Sequence, residues 1–117
     1  MEKTFVNFTN HPSAQWSDRQ RREALKYGNI QDIPFPDVDP LGDHDYIDGL
    51  ADSCIRHILK FRPGAVLCQG EFCLAYQVIK RLQARGVLVL AACSERIADE
   101  IGGKKISSFV FRQFRDY

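Results

Sequence analysis

The chain is short of the features that announce a chemistry. It contains no Walker-type phosphate loop, no GxGxxG fingerprint, no HExxH helix and no nucleophile elbow. Classical dinucleotide binding therefore has no anchor, and neither a metal nor another cofactor is expected. The four cysteines, Cys54, Cys68, Cys73 and Cys93, form no CxxC pair, and no histidine stands at zinc-finger spacing from them. All lie in apolar segments, where a free cysteine behaves as a small buried hydrophobe. Cys73, near a helix start, and Cys93, at a strand tip, are the two placed for thiolate chemistry. A net charge of +1 gives no basic field, so long nucleic acid is not an expected partner. Apolar runs such as Val87 to Ala92 fall far below the ~20 residues of a membrane span. The opening MEKTFVNF lacks the h-region of a signal peptide, which predicts a cytoplasmic chain. Without repeats, low-complexity tracts or linkers, residues 1–117 read as one domain.

What is present centres on Ala65 to Arg96. A short apolar run, Ala65 to Cys68, ends in Gln69-Gly70-Glu71. An amphipathic segment with Leu74, Ala75, Val78, Ile79 and Leu82 at helical spacing follows and stops at Gly86. A second apolar run, Val87 to Ala92, ends in Cys93-Ser94-Glu95-Arg96. Strand, helix and strand within roughly 30 residues is one βαβ unit. Its two polar tips then share the carboxyl edge of a sheet, where open α/β sheets bind ligands.

The flanking segments extend this pattern. Lys3 to Phe8 reads as a first strand ending in Thr9-Asn10-His11-Pro12. Ser13 or Ser17 starts a helix, with Ser17 to Gln20 fitting a capping box, and it runs to about Tyr27 with Gly28 as its C-cap. Arg19, Arg22 and Lys26 form its solvated side. Ile30 to Phe35 is a short strand, and Pro34 argues for an edge position. The acidic run from Asp37 to Asp48 lacks EF-hand spacing and leads into a long helix, about Asp43 to Phe61, closed by Arg62-Pro63-Gly64. His44 and His57 belong near its polar face. At the far end, Glu95 to Ile101 reads as an extended arm. Gly102-Gly103-Lys104-Lys105 is a turn and Ile106 to Phe114 a strand, the signature of a terminal hairpin.

Right-handed crossovers leave a small doubly wound α/β sheet of order 2-1-3-4, with the antiparallel hairpin added beyond strand 4. Strands 1 and 3 become neighbours, and the crevice between them is the expected ligand site. Around it the sequence gathers Thr9, Asn10 and His11, then Gln69, Gly70 and Glu71, with Ser94 and Arg96 one strand away. Gly70 admits a ligand to the backbone, and the N–H groups of Glu71 and Phe72 are donors for an oxyanion. Arg96 is a forked cation for phosphate, and His11 an imidazole able to exchange protons near neutral pH. Each has a plainer reading: Thr9 and Asn10 capping a turn, Glu71 complementing the helix dipole, Arg96 paired with Glu95 or Asp99.

The opening NFTNHPSAQWS and the stretch QGEFCLAYQVIKRLQARGVLVLAACSER resemble small CRISPR-associated Csx-type proteins of the ring-nuclease group. Those combine a polar first-strand tip, a QG-acid-F turn into a helix and a Ser/Thr-x-Arg tip. The opening also resembles uncharacterised bacterial proteins. The ring-nuclease resemblance implies a Rossmann-like three-layer homodimer that binds cyclic oligoadenylate. It also implies metal-free cleavage, by attack of a ribose 2′-hydroxyl on the neighbouring phosphate. Gln69, Gly70 and Glu71 match the central turn, Ser94 and Arg96 the second tip, and His11 would act as acid or base. The catalytic candidates are accordingly His11, Glu71 and Arg96, and the ligand-binding ones Thr9, Asn10, Gln69, Gly70, Phe72 and Ser94. Two further readings stand beside this one. One is a deoxyribosyltransferase-type nucleotide hydrolase with Glu71 as nucleophile. The other is a non-catalytic nucleotide-sensing or interaction module.

Overall fold

A computed structural model describes residues 2–117. The first strand, β1 (Thr4–Phe8), is almost wholly buried. A 3-10 turn at Ser13–Gln15 precedes helix α1 (Asp18–Leu25). The Ser17 hydroxyl caps α1 by accepting the Gln20 N–H, as the capping box requires. Gly28 follows at φ +147°, where a Cβ would lie 2.1 Å from the Lys3 carbonyl oxygen. The chain then enters β2 (Asn29–Asp32), which stops before Pro34 and occupies the sheet edge. Helix α2 (His44–Leu59) is capped by Asp43, whose carboxylate accepts the Tyr46 N–H. Strand β3 (Pro63–Cys68) and helix α3 (Phe72–Ala84) complete the predicted βα step, and Gly86 ends it at φ +75°.

The sheet order is β2-β1-β3-β4-β5, where β4 is Val89–Ile101 and β5 is Lys104–Asp116. The first four strands are parallel and β5 is antiparallel to β4. This is the expected α/β order with its terminal hairpin. Strand alternation sends Val6, Phe8, Val66 and Val89 to one face, under α2 and α3. Phe5, Ala65, Leu67 and Leu90 go to the other face, with Ala24 of α1 and Trp16. The Phe5 ring meets Phe114 at 5.2 Å and Trp16 at 6.1 Å, and Phe114 meets Phe111 at 4.9 Å. Such pairs each add about 0.5–1.5 kcal/mol beyond area burial. Together they fix the base of the hairpin against the loop that follows β1.

One expectation is corrected. Cys93 to Arg96 is not a strand tip: β4 runs through it to Ile101 because β5 supplies a ladder partner at each position. Pairing with β3 ends at Leu90, so the later part of β4 leaves the parallel sheet as a two-stranded arm. A bulge sets in where Cys93 opposes Gln113 but Ser94 opposes Phe111, leaving Arg112 as the extra residue. Gly102 and Gly103, at φ +60° and +78°, close the two-residue turn. No helix among the described residues is long and apolar enough to cross a membrane.

Candidate functional site

The turn after β1 is built from inside the strand. Asn7 is 1% exposed, an amide in an otherwise apolar central strand. Its nitrogen donates to the His11 carbonyl and to Asp32 Oδ1, each at 2.9 Å. Its oxygen accepts the Thr9 hydroxyl at 2.8 Å. Asp32 stands beside Asn7 in the parallel register and accepts the Ser13 N–H and hydroxyl through its other oxygen. The Trp16 indole N–H adds a bond to the same His11 carbonyl, at 3.1 Å. Arg21 reaches back to the carbonyls of Ser13 and Trp16. With the buried Asn7 and Thr9 side chains partnered in this way, the network holds the loop as a shelf. The His11 imidazole, by contrast, is exposed and makes no hydrogen bond among the described residues.

Beside this shelf lies an open cleft of about 840 Å³. Thr9, Asn10 and His11 line it from β1, Gln69 and Gly70 from the end of β3, and Ser94 from β4. The three polar segments chosen from the sequence do converge. Gln69 ties two of them together, since its Oε1 accepts the Ala92 N–H at 3.1 Å. The cleft is completed by side chains that the sequence did not mark. Gln15, Trp16, Ser17 and Gln20 come from the loop and α1, and Phe109 and Phe111 from β5. Asn7 does not line the cleft but holds it, and it left one legible sign: an amide in the middle of the strand TFVNF.

Three candidates stand outside the lining. Glu71 caps α3, its carboxylate accepting the N–H groups of Cys73 at 2.7 Å and Leu74 at 3.1 Å. These bonds, the Cys73 N–H first, hold the Glu71 carboxyl below its ordinary value. Phe72 is 89% exposed on the first turn of α3, away from the cleft. Arg96 belongs to the arm, where its guanidinium donates to the Ser107 hydroxyl at 3.0 and 3.3 Å. The ion pair there is between Glu95 and Arg112 instead. Gly70 also has a different reason to be glycine. A Cβ would lie 2.5 Å from the buried Phe35 ring, so packing rather than ligand approach excludes a side chain.

The cysteines divide by environment. Burial, with a smaller contribution from Cys54, pushes the Cys68 thiol up to about 12. Burial also raises Cys54. Cys73 is exposed at the helix start, yet its hydrogen bond to Glu71 and that carboxylate's charge raise its thiol. The expected thiolate advantage of the helix terminus is cancelled by the residue that caps it. Among the described residues, no three His, Cys, Asp or Glu side chains gather to hold a metal ion.

The model of the Uncharacterized protein MJ1673 family matches residues 3–115, from β1 to Arg115 within β5. The chain belongs to the MJ1673 family. That match spans the shelf, the cleft and the arm together, so all three lie within the MJ1673 family region. No curated protein and no solved structure matches the chain.

Proposed function

We propose that the cleft binds a small nucleotide, cyclic oligoadenylate above all, and cleaves it without a metal ion. In this reading the α/β sheet serves as a Rossmann-like scaffold, with the ligand at the carboxyl ends of β1 and β3. The observation that carries the reading is the composition of the lining. Neutral amides and hydroxyls, aromatic rings and one imidazole face a cavity to which no carboxylate contributes. A polyanion is tolerated there, because the acidic neighbour of Ser94, Glu95, is drawn to Arg112.

The chemistry then falls to few groups. A ribose 2′-oxygen attacks the adjacent phosphorus, the P–O5′ bond breaks, and a 2′,3′-cyclic phosphate and a 5′-hydroxyl result. His11 moves the proton, taking it from the 2′-hydroxyl or giving it to the 5′-oxygen. Gln69, Asn10 and Ser94 hold the phosphate oxygens and base edges. Glu71 is a structural cap in this scheme, which also weighs against the deoxyribosyltransferase-type alternative: its carboxylate is engaged by two N–H donors. A homodimer would present the cleft twice to a ligand of even symmetry.

The test is incubation with cyclic tri-, tetra- and hexa-adenylate, following products by chromatography and binding by thermal shift. Cleavage to cyclic-phosphate ends, lost in His11→Ala with binding retained, is the expected result. Binding without turnover in the unaltered chain would favour the sensing module, for which the protruding arm is a natural contact surface.

A further inference from the structure

Phe109 is a large apolar side chain with no structural employment. It is 72% exposed, in a strand where Phe111 is 6% exposed and packs against Phe114. It belongs to neither core cluster, yet it lines the cleft. Directly across the ribbon stands Arg96, so their side chains share one face. Ser94 and Phe111 form the preceding pair on that face, which runs from the cleft out along the arm. The Arg96 guanidinium is drawn to Ser107, further toward the arm tip, and that contact uses Nε and Nη2. Its Nη1 donors remain for a ligand. A flat ring and a positioned fork therefore follow the cleft in sequence along one surface.

We propose that Phe109 is a stacking platform for a nucleobase and that Arg96 holds the phosphate beyond it, so that the site takes an oligonucleotide and discriminates against mononucleotides. This rests on the nucleotide reading of the cleft and extends it to ligand length. A mononucleotide held beside His11 occupies one part of the cleft, whose arm-side wall is Phe109. A dinucleotide unit places one sugar–phosphate at His11 and the next base on Phe109. Stacking is tolerant of base identity, so Phe109 contributes affinity and length preference rather than sequence preference. Arg96, as one phosphate contact, contributes about one unit of salt dependence.

The experiment measures binding of AMP, linear pApA and cyclic tetra-adenylate to the full chain. Quenching of Trp16, the single tryptophan and itself in the lining, gives the signal, and turnover of cyclic tetra-adenylate is followed in parallel. The unaltered protein should bind pApA and cyclic tetra-adenylate more tightly than AMP. Phe109→Leu should weaken the two longer ligands by roughly 5- to 100-fold and AMP by markedly less. Phe109→Tyr should restore them, and Arg96→Gln should flatten their salt dependence. Because Phe109 is exposed, both Phe109 variants should melt with the unaltered chain. Equal affinity for AMP and pApA, or no loss in Phe109→Leu, overturns the platform while turnover can still uphold the nuclease. Binding that depends on Phe109 without any turnover overturns the nuclease and upholds the platform. No binding of any of the three overturns both.

Discussion

The side-chain amide of Asn7 donates to the main-chain carbonyl of His11 across 2.9 Å, so a residue buried inside β1 sets the position of the exposed imidazole. Removing that amide should be costly. Asn7→Ala leaves the Thr9 hydroxyl, Asp32 and the His11 carbonyl short of partners. A loss of about 2–4 kcal/mol is expected, read by urea denaturation. His11 should also lose its defined place, visible as altered chemical shifts for residues 9–13. A variant of unchanged stability would show that the network is incidental.

Gly70 should resist even the smallest addition. A methyl group at this position meets the Phe35 ring, which is only 4% exposed and has no room to withdraw. Gly70→Ala should cost about 1–3 kcal/mol. Pairing it with Phe35→Leu should cost less than the sum of the two single changes, because the shorter side chain vacates the contested space. Strict additivity in that cycle would place the strain elsewhere.

Glu71 links stability to pH. Its carboxyl titrates below the ordinary value of 4.5, so its contribution is fully present above that value and is lost as pH falls through the lower, folded one. Glu71→Ala should cost about 0.5–1 kcal/mol at neutral pH, the lower part of the capping range, because the pair is exposed and screened. The difference between the two proteins should vanish in acid. If it grows on acidification, the cap assignment is wrong.

The same carboxylate restrains a thiol. Its hydrogen bond and charge raise Cys73, so Glu71→Gln should return that thiol toward its ordinary range. Faster alkylation of Cys73 by iodoacetamide near pH 8 is the expected outcome, measured by peptide mass spectrometry. Cys68, buried and titrating near 12, should stay unmodified in both proteins.

The arm should be dispensable for folding. No residue from 97 to 108 belongs to either core cluster. Joining Arg96 to Phe109 through an Asn-Gly turn should therefore change stability by no more than about 1 kcal/mol, as judged by thermal melting. Collapse of the fold would mean that the ribbon supports the sheet.

Composition and periodicity alone determined the succession of elements along the chain, since each strand and helix carries its own apolar spacing, caps and glycine stops. Ser17, Gly28, Gly86 and Gly102-Gly103 end or start elements in the structure where local chemistry demands it. The approach of Thr9–His11 to Gln69–Gly70 followed from parallel β1 and β3 being neighbours, which the crossover rule supplied. Local pattern carries no record of distant partners. Cys93 to Arg96 looks like a tip until β5 pairs with it, and only the assembled turn shows the Glu71 carboxylate accepting N–H groups of its own helix. The strand Ile106 to Phe114 gives no local sign of which of its rings is exposed, since strand periodicity cannot say where the sheet ends and an arm begins. Tertiary structure decided those three, because burial and pairing are properties of the assembled chain.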